Sequence, residues 1–200
     1  MGEQLNSDNL VKKKGTGTGF AVGGILAMLV TTASQAVYPT FSTRNDAIST
    51  LGGVGEPTSL VWNSAIVLTG LLWLLSTYKL FHNGGRKLSS VPFYLAGIGF
   101  LFVGLSPWNK YPVTHTIGAL LVFFFGAISC LVAWRLTGKT IGKISLVSGV
   151  LPFLAFFGGV DGLDNLLGTG GAERMIYYPI LLWAIAFGGY LLNLENNQSQ

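Results

Sequence analysis

The sequence predicts an all-α integral membrane protein, a six-transmembrane-helix bundle with both termini cytoplasmic. Three observations lead there. Half of the 200 residues are hydrophobic and only 10% are charged, with a mean hydropathy of +0.55. Six separate apolar runs are long enough to cross a bilayer. The basic residues collect in alternate connections. A soluble domain typically carries about 25% charged residues, and surface-to-volume scaling limits how much apolar surface a soluble fold can hide. A bilayer removes that limit. Residues 1–200 read as one transmembrane domain, with no connection long enough for a soluble module.

A spanning helix needs roughly 20 mostly apolar residues. The runs that qualify cover about 17–38, 58–80, 90–105, 114–136, 141–160 and 173–194. The first follows Lys12-Lys13-Lys14 and ends near Ser34-Gln35-Ala36, a pattern like a signal peptide with a small-residue cleavage site; because the run is long enough to span, it is read as a retained first helix. The second carries Asn63 one turn inside. The third is short. The fourth has His115 at its head and Cys130 in its middle, a lone cysteine read as a buried small apolar residue. The fifth is rich in glycine and contains Pro152, expected to kink it. The sixth opens on Glu173-Arg174. Gly19 and Gly23, with Gly188 and Gly189, suit close helix packing. Three Tyr-Pro pairs, at Tyr38, Tyr111 and Tyr178, fall near helix ends on one side, where Tyr suits the membrane interface and Pro suits a helix start.

Lys and Arg fix the orientation. Lys12, Lys13, Lys14, Lys79, Arg86, Lys87, Arg135, Lys139 and Lys143 lie on one side; Arg44, Lys110 and Arg174 lie on the other. The side with nine is cytoplasmic by the positive-inside rule. With the acidic residues counted, the inner face carries +6 and the outer face −2, which sum to the chain's +4. The basic residues are loop charges, so nucleic acid is not expected as a partner. The expected location is the cell (cytoplasmic) membrane.

The outer rim holds the candidate chemistry. Glu173 suits a helix N-terminus, where the dipole favours an acid by about 0.3–1 kcal/mol. Arg174 does not, so it needs an acidic side chain, a headgroup phosphate or water. The first outer loop offers Arg44, Asn45, Asp46, Ser49 and Glu56. The second offers Trp108, Asn109, Lys110 and then His115. The third offers Asp161 and Asp164. The residues expected to line a polar pocket are Asn45, Asp46, Ser49, His115, Glu173 and Arg174. Arg174 is expected to pair with Asp46 or a lipid phosphate, and Glu173 to accept a hydrogen bond from His115 or Asn45.

Other chemistries are excluded or weak. His82 and His115 are the only histidines and fall on opposite sides, so a histidine-based zinc site is excluded. No cofactor is expected; a divalent cation on Asp46, Asp161, Asp164 and Glu173 remains open, with Asp161 and Asp164 the weak candidates. Ser42, Ser49 and Ser106 could serve beside His115, but no nucleophile-elbow sequence is present. The Gly-rich stretches near residues 15 and 162 lack the Lys-Ser/Thr of a phosphate loop.

Four segments, YPTFSTRNDAISTLGG, Asn63-Ser64, GLSPWNKYPVTHTIGALLVFFFGAIS and GGAERMIYYPILLWAIAFGGYLL, resemble the domain-of-unknown-function 998 family of archaeal and bacterial membrane proteins. The matching elements are Asn45, Ser49-Thr50-Leu51-Gly52, His115 and Glu173-Arg174, and they follow the family's order. That resemblance implies six helices. It also implies a distant similarity to the Frag1/DRAM/Sfk1 group, associated with lipid and membrane homeostasis. It implies no activity.

The expected function is a lipid-binding or structural accessory role, with membrane lipids and other membrane-protein subunits as partners. The alternative is an enzyme acting on a lipid headgroup, with His115 as base. A third reading is a small-solute transporter, with a path past Pro152.

Overall fold

The computed structural model describes residues 14–82, 87–137, 139–158 and 164–198. Six long helices account for most of them: α1 (Thr18–Val37), α2 (Ser59–Phe81), α3 (Lys87–Leu105), α4 (Pro112–Leu136), α5 (Lys139–Gly158) and α6 (Asp164–Gln198). All six contain a window long and apolar enough to cross a membrane, so the chain is a multi-pass membrane protein.

Local chemistry sets the ends. Tyr38 precedes Pro39, whose ring disfavours helical backbone at the residue before it; Tyr38 is extended, with φ −99° and ψ 102°, and α1 stops there. Pro112 opens α4, where its fixed φ suits the first turn and its missing N–H costs nothing.

Each helix packs on its sequence neighbour, and α6 returns to α1, so the bundle closes as a ring. Bare backbone makes the tightest crossings. A side chain at Gly19 would strike the Leu72 carbonyl of α2, and one at Gly188 would meet the backbone of Gly17 and Ala21. Gly23 makes only ordinary contacts, and Gly189 faces open space, so two of the four glycines expected at crossings serve there. Cys130 is buried, as expected.

The core is aromatic and sits in the half of the bundle nearer the termini. Phe20, Trp73, Phe93, Trp183 and Phe187 are fully buried. Trp183 stacks on Phe187 with centroids 4.9 Å apart, and Phe20 meets Trp73 edge-on at 5.2 Å. Trp183 Nε1 donates to Ser145 Oγ at 2.9 Å, which satisfies the indole where no water reaches. At the terminal face, the Glu195 carboxylate accepts from the backbone N–H groups of Gly15, Thr16 and Gly17, at 2.7 to 3.4 Å. These are donors at the start of α1 that its own turns cannot satisfy.

Two expectations need correction. The sixth helix does not begin at Glu173: helical backbone starts at Asp164 and is broken only at Gly168, with φ 74° and ψ 164°. Pro152 stands inside a continuous α5, and the backbone break lies at Gly168 of α6. Pro179 likewise stands inside α6 rather than at a helix end.

Candidate functional site

The connection between α1 and α2, residues 38–58, folds over the end of the bundle opposite the termini. It contains one short 3₁₀ helix, Ile48–Gly52, and acts as a lid. Its two ends are joined: the Tyr38 hydroxyl donates to the Glu56 carboxylate. That hydrogen bond first, then desolvation, then the Glu56 charge hold the Tyr38 phenol above its ordinary pKa. Its middle is tied to the head of α2. Thr58 Oγ1 donates to Leu51 O at 2.7 Å, and Asn63 Nδ2 donates to Gly52 O at 2.8 Å. Gly52 lies flat on Trp62 and Asn63, where any side chain would collide. From the α3–α4 turn, Asn109 imitates a strand: its Oδ1 accepts from Val54 N at 2.8 Å, and its Nδ2 donates to Val54 O at 3.0 Å.

The lid's firmest attachment is to α6, and it explains the Glu173-Arg174 pair. After the break at Gly168 the helix restarts, and its new N–H groups at Gly170 and Gly171 donate to the Arg44 carbonyl, at 2.8 and 3.2 Å. Glu173 then accepts from Ile48 N–H at 2.5 Å. Arg174 Nη1 donates to Gly170 O at 2.5 Å and to Asp46 O at 3.4 Å, and its guanidinium lies 5.6 Å from the Phe41 ring centroid, within cation–π range. Neighbouring helical residues point about 100° apart. The pair therefore grips the lid at two places, Glu173 through the Ile48 N–H and Arg174 through the Asp46 carbonyl and the Phe41 ring. Arg174 Nε and Nη2 are buried without a hydrogen-bond partner.

Beneath the lid lies a partly open cavity with roughly 30 Å³ of room for water, enough for about one molecule. Its walls are mainly apolar. Trp62, Phe100 and Val122 come from α2, α3 and α4, and Phe100 touches both the cavity and Trp73 of the core, so the aromatic core is its floor. Four polar side chains interrupt the apolar lining: Ser49 from the lid, His115 from α4, and Glu173 and Tyr177 from α6. His115 Nδ1 stands 2.8 Å from Ser106 O. A carbonyl only accepts, so Nδ1 carries the proton and Nε2 is left as an acceptor. The Tyr177 hydroxyl is buried, with Thr31 of α1 as its polar neighbour. A π-helical turn at Leu121–Phe125 interrupts α4 beside the cavity and presents Val122 and Phe123 to it; such turns are frequent at functional sites.

Of the six residues expected to line a pocket, the cavity unites Ser49, His115 and Glu173. Arg174 is one residue away, engaged with the lid. Asn45 is exposed. The Asp46 carboxylate turns back to Ser42 N–H at 2.7 Å, so Arg174 meets the Asp46 carbonyl rather than its acid. Glu173 takes its hydrogen bond from Ile48, not from His115 or Asn45. Asp164 is exposed at the start of α6, and Asp161 lies outside the described residues. Among the described residues, no three His, Cys, Asp or Glu side chains converge as a metal site. The sequence reasoning missed Trp62, Phe123 and Tyr177. Tyr177 had a signal, since it stands four residues after Glu173 and so shares its helix face.

Six apolar helices around an aromatic core, with a lid over a sparsely polar cavity at one end, define a class of small multi-pass membrane protein built around a covered pocket. The chain belongs to the family described as "protein of unknown function (DUF998)", whose model matches residues 21–190. No curated protein and no solved structure matches it.

Proposed function

We propose that this protein holds a membrane lipid at its lid face, which lies on the extracytoplasmic side of the cytoplasmic membrane with both termini inside. One observation carries the reading: four polar side chains converge under a lid, in a bundle end where apolar packing would be cheaper. Polar groups at membrane depth are costly and mark function, and ligand sites combine an apolar lining with a few placed polar groups. The cavity admits only about a water molecule with the lid as it lies, so the lipid headgroup takes the place of that water when the lid lifts. Binding of this kind suits an accessory protein that presents or retains lipid beside other membrane subunits.

The test is native mass spectrometry of the protein released from the mildest detergent that keeps it folded, wild type beside Arg174→Ala. Wild type is expected to carry a phospholipid, and the variant, with its lid loosened, to lose most of it. Two identical bare monomers would overturn the reading. A second reading rests on His115: its Nδ1–H is fixed by Ser106, so Nε2 is free to take a proton, as a general base must. On that reading, a purified wild type hydrolyses or transfers a lipid headgroup and His115→Ala does not, while both bind lipid.

A further inference from the structure

Two arginines at the lid face have no acidic partner. Arg174 Nη1 is held by the Gly170 carbonyl at 2.5 Å and more loosely by the Asp46 carbonyl at 3.4 Å. Its Nε and Nη2 are buried and bond to nothing among the described residues. These two nitrogens form one edge of the guanidinium. That edge presents parallel N–H donors, the fork that grips two oxygens of a phosphate or carboxylate. A buried charge is costly unless it is paired and hydrogen-bonded. The acids close by do not fill the fork: the Asp46 carboxylate accepts from Ser42 N–H, and the Glu173 carboxylate from Ile48 N–H. The Arg44 side chain lies over Gly168, and Arg174 Nη1 lies over Gly170, two residues on. Arg44 is exposed, and among the described residues it too forms no ion pair.

We propose that Arg174, with Arg44 at the rim, is a site for a phosphate ester, seated on the Nε–Nη2 edge with Phe41 swung aside. The proposal rests on the lipid-holding reading above and adds the group that is recognised. The contacts given up are slight. Arg174 meets the lid only through the 3.4 Å hydrogen bond and the Phe41 ring, whereas its shorter bond to Gly170 stays within α6. The Arg44 carbonyl keeps its hold on Gly170 and Gly171 while Phe41 moves, so the lid stays tethered. Geometry rather than net charge selects the ligand, since Asp46 and Glu173 offset the two arginines overall. The surface below the fork suits a lipid as the source of the phosphate. The face of α6 that carries Arg174 continues at helical spacing through Tyr178, which packs against the core, to Leu182, which is 54% exposed. A phosphate at Arg174 leaves its chains to run down this apolar face.

The experiment places the full chain in nanodiscs of equal phosphatidylglycerol and galactosyl diacylglycerol with the same chains, and reads the retained lipid by native mass spectrometry. Wild type is expected to retain the phospholipid in preference. Arg174→Lys keeps the charge and loses the fork, and is expected to lower that preference roughly tenfold, the effect of losing about one charge-assisted hydrogen bond. Arg44→Gln leaves the backbone carbonyl that holds the lid, and is expected to lower the preference less, with no change in the thermal midpoint. A second arm adds glycerol phosphate to the detergent-solubilised protein, where no shift in the midpoint is expected. Equal retention of the two lipids, or a phospholipid preference unchanged in both variants, overturns the phosphate site and leaves the lipid-holding reading standing. No retained lipid, with a midpoint raised by glycerol phosphate in wild type and not in Arg174→Lys, keeps the phosphate site and overturns the lipid reading. No retained lipid and no shift sinks both.

Discussion

A methyl group added at Gly168 would run into the Arg44 carbonyl and side chain, on a backbone at φ 74° that a side chain rarely adopts. A methyl group added at Gly189 would meet nothing within 4 Å, on ordinary helical backbone. The same substitution should therefore act with opposite sign. Gly168→Ala is expected to cost more than about 2 kcal/mol, since forcing a side chain into this glycine region carries a strain of about 1–3 kcal/mol before any collision is counted. Gly189→Ala is expected to be neutral or to stabilise by up to about 1 kcal/mol, because alanine gives up less backbone freedom in a helix. Thermal unfolding in one detergent, with all three proteins side by side, measures both; a Gly168→Ala midpoint equal to wild type would show that the lid does not depend on this turn. Arg174 teaches a related lesson. Its partners are the backbone carbonyls of Gly170 and Asp46, and every residue carries a carbonyl. A sequence can suggest that an arginine lacks a side-chain partner. It holds no mark for which carbonyl will come to it.

At the scale of elements, the π-helical turn in α4 sets where His115 points. Removing one residue from 121–125 restores ordinary helical spacing and swings Pro112–Leu120 by about 100° relative to the rest of α4. That swing carries His115 away from Ser106 and the cavity. The expected outcome is unchanged helicity by circular dichroism with lipid retention lost; retention at the wild-type level would detach the turn from the site. The spans themselves were legible, because a bilayer demands a length of apolar residues that few other structures use. The start of α6 was not. GLDNLLGTGG is dense in glycine and reads as a loop, yet its helix is restarted by the Arg44 carbonyl, about 125 residues earlier, accepting from Gly170 and Gly171. The candidate site was legible in part. Ser49, His115 and Glu173 stood out as polar residues beside apolar runs and do meet. Asn45 and Asp46 stood out equally, but their turn folds on itself through Ser42. Phe123 was hidden among three phenylalanines, since nothing in Phe123-Phe124-Phe125 announces that the helix widens there.

For the whole molecule, the charges predict which way the bundle sits. Arg44, Lys110 and Arg174 are at the lid face, whereas Lys14, Lys79 and Arg135 are near the terminal face. The native cysteine is buried and can stay in place while exposed positions are replaced one at a time. In intact cells, a membrane-impermeant maleimide is expected to label Thr40→Cys on the lid, and to label Asn197→Cys only after permeabilisation. The reverse pattern would put the lid and its cavity in the cytoplasm, and the lipid leaflet they address would change with it.

The carboxylate of Glu195 completes the start of α1 from 178 to 180 positions further along the chain. A ribosome delivers the first helix to the membrane long before it has made that residue. Until then, the amide groups at the head of α1 have to be served by water or headgroups, and the ring of helices stays open at the seam between first and last. Closure between α1 and α6 therefore waits on the last turns of α6, and a chain released before residue 195 would carry its crossings with the seam between first and last unfastened.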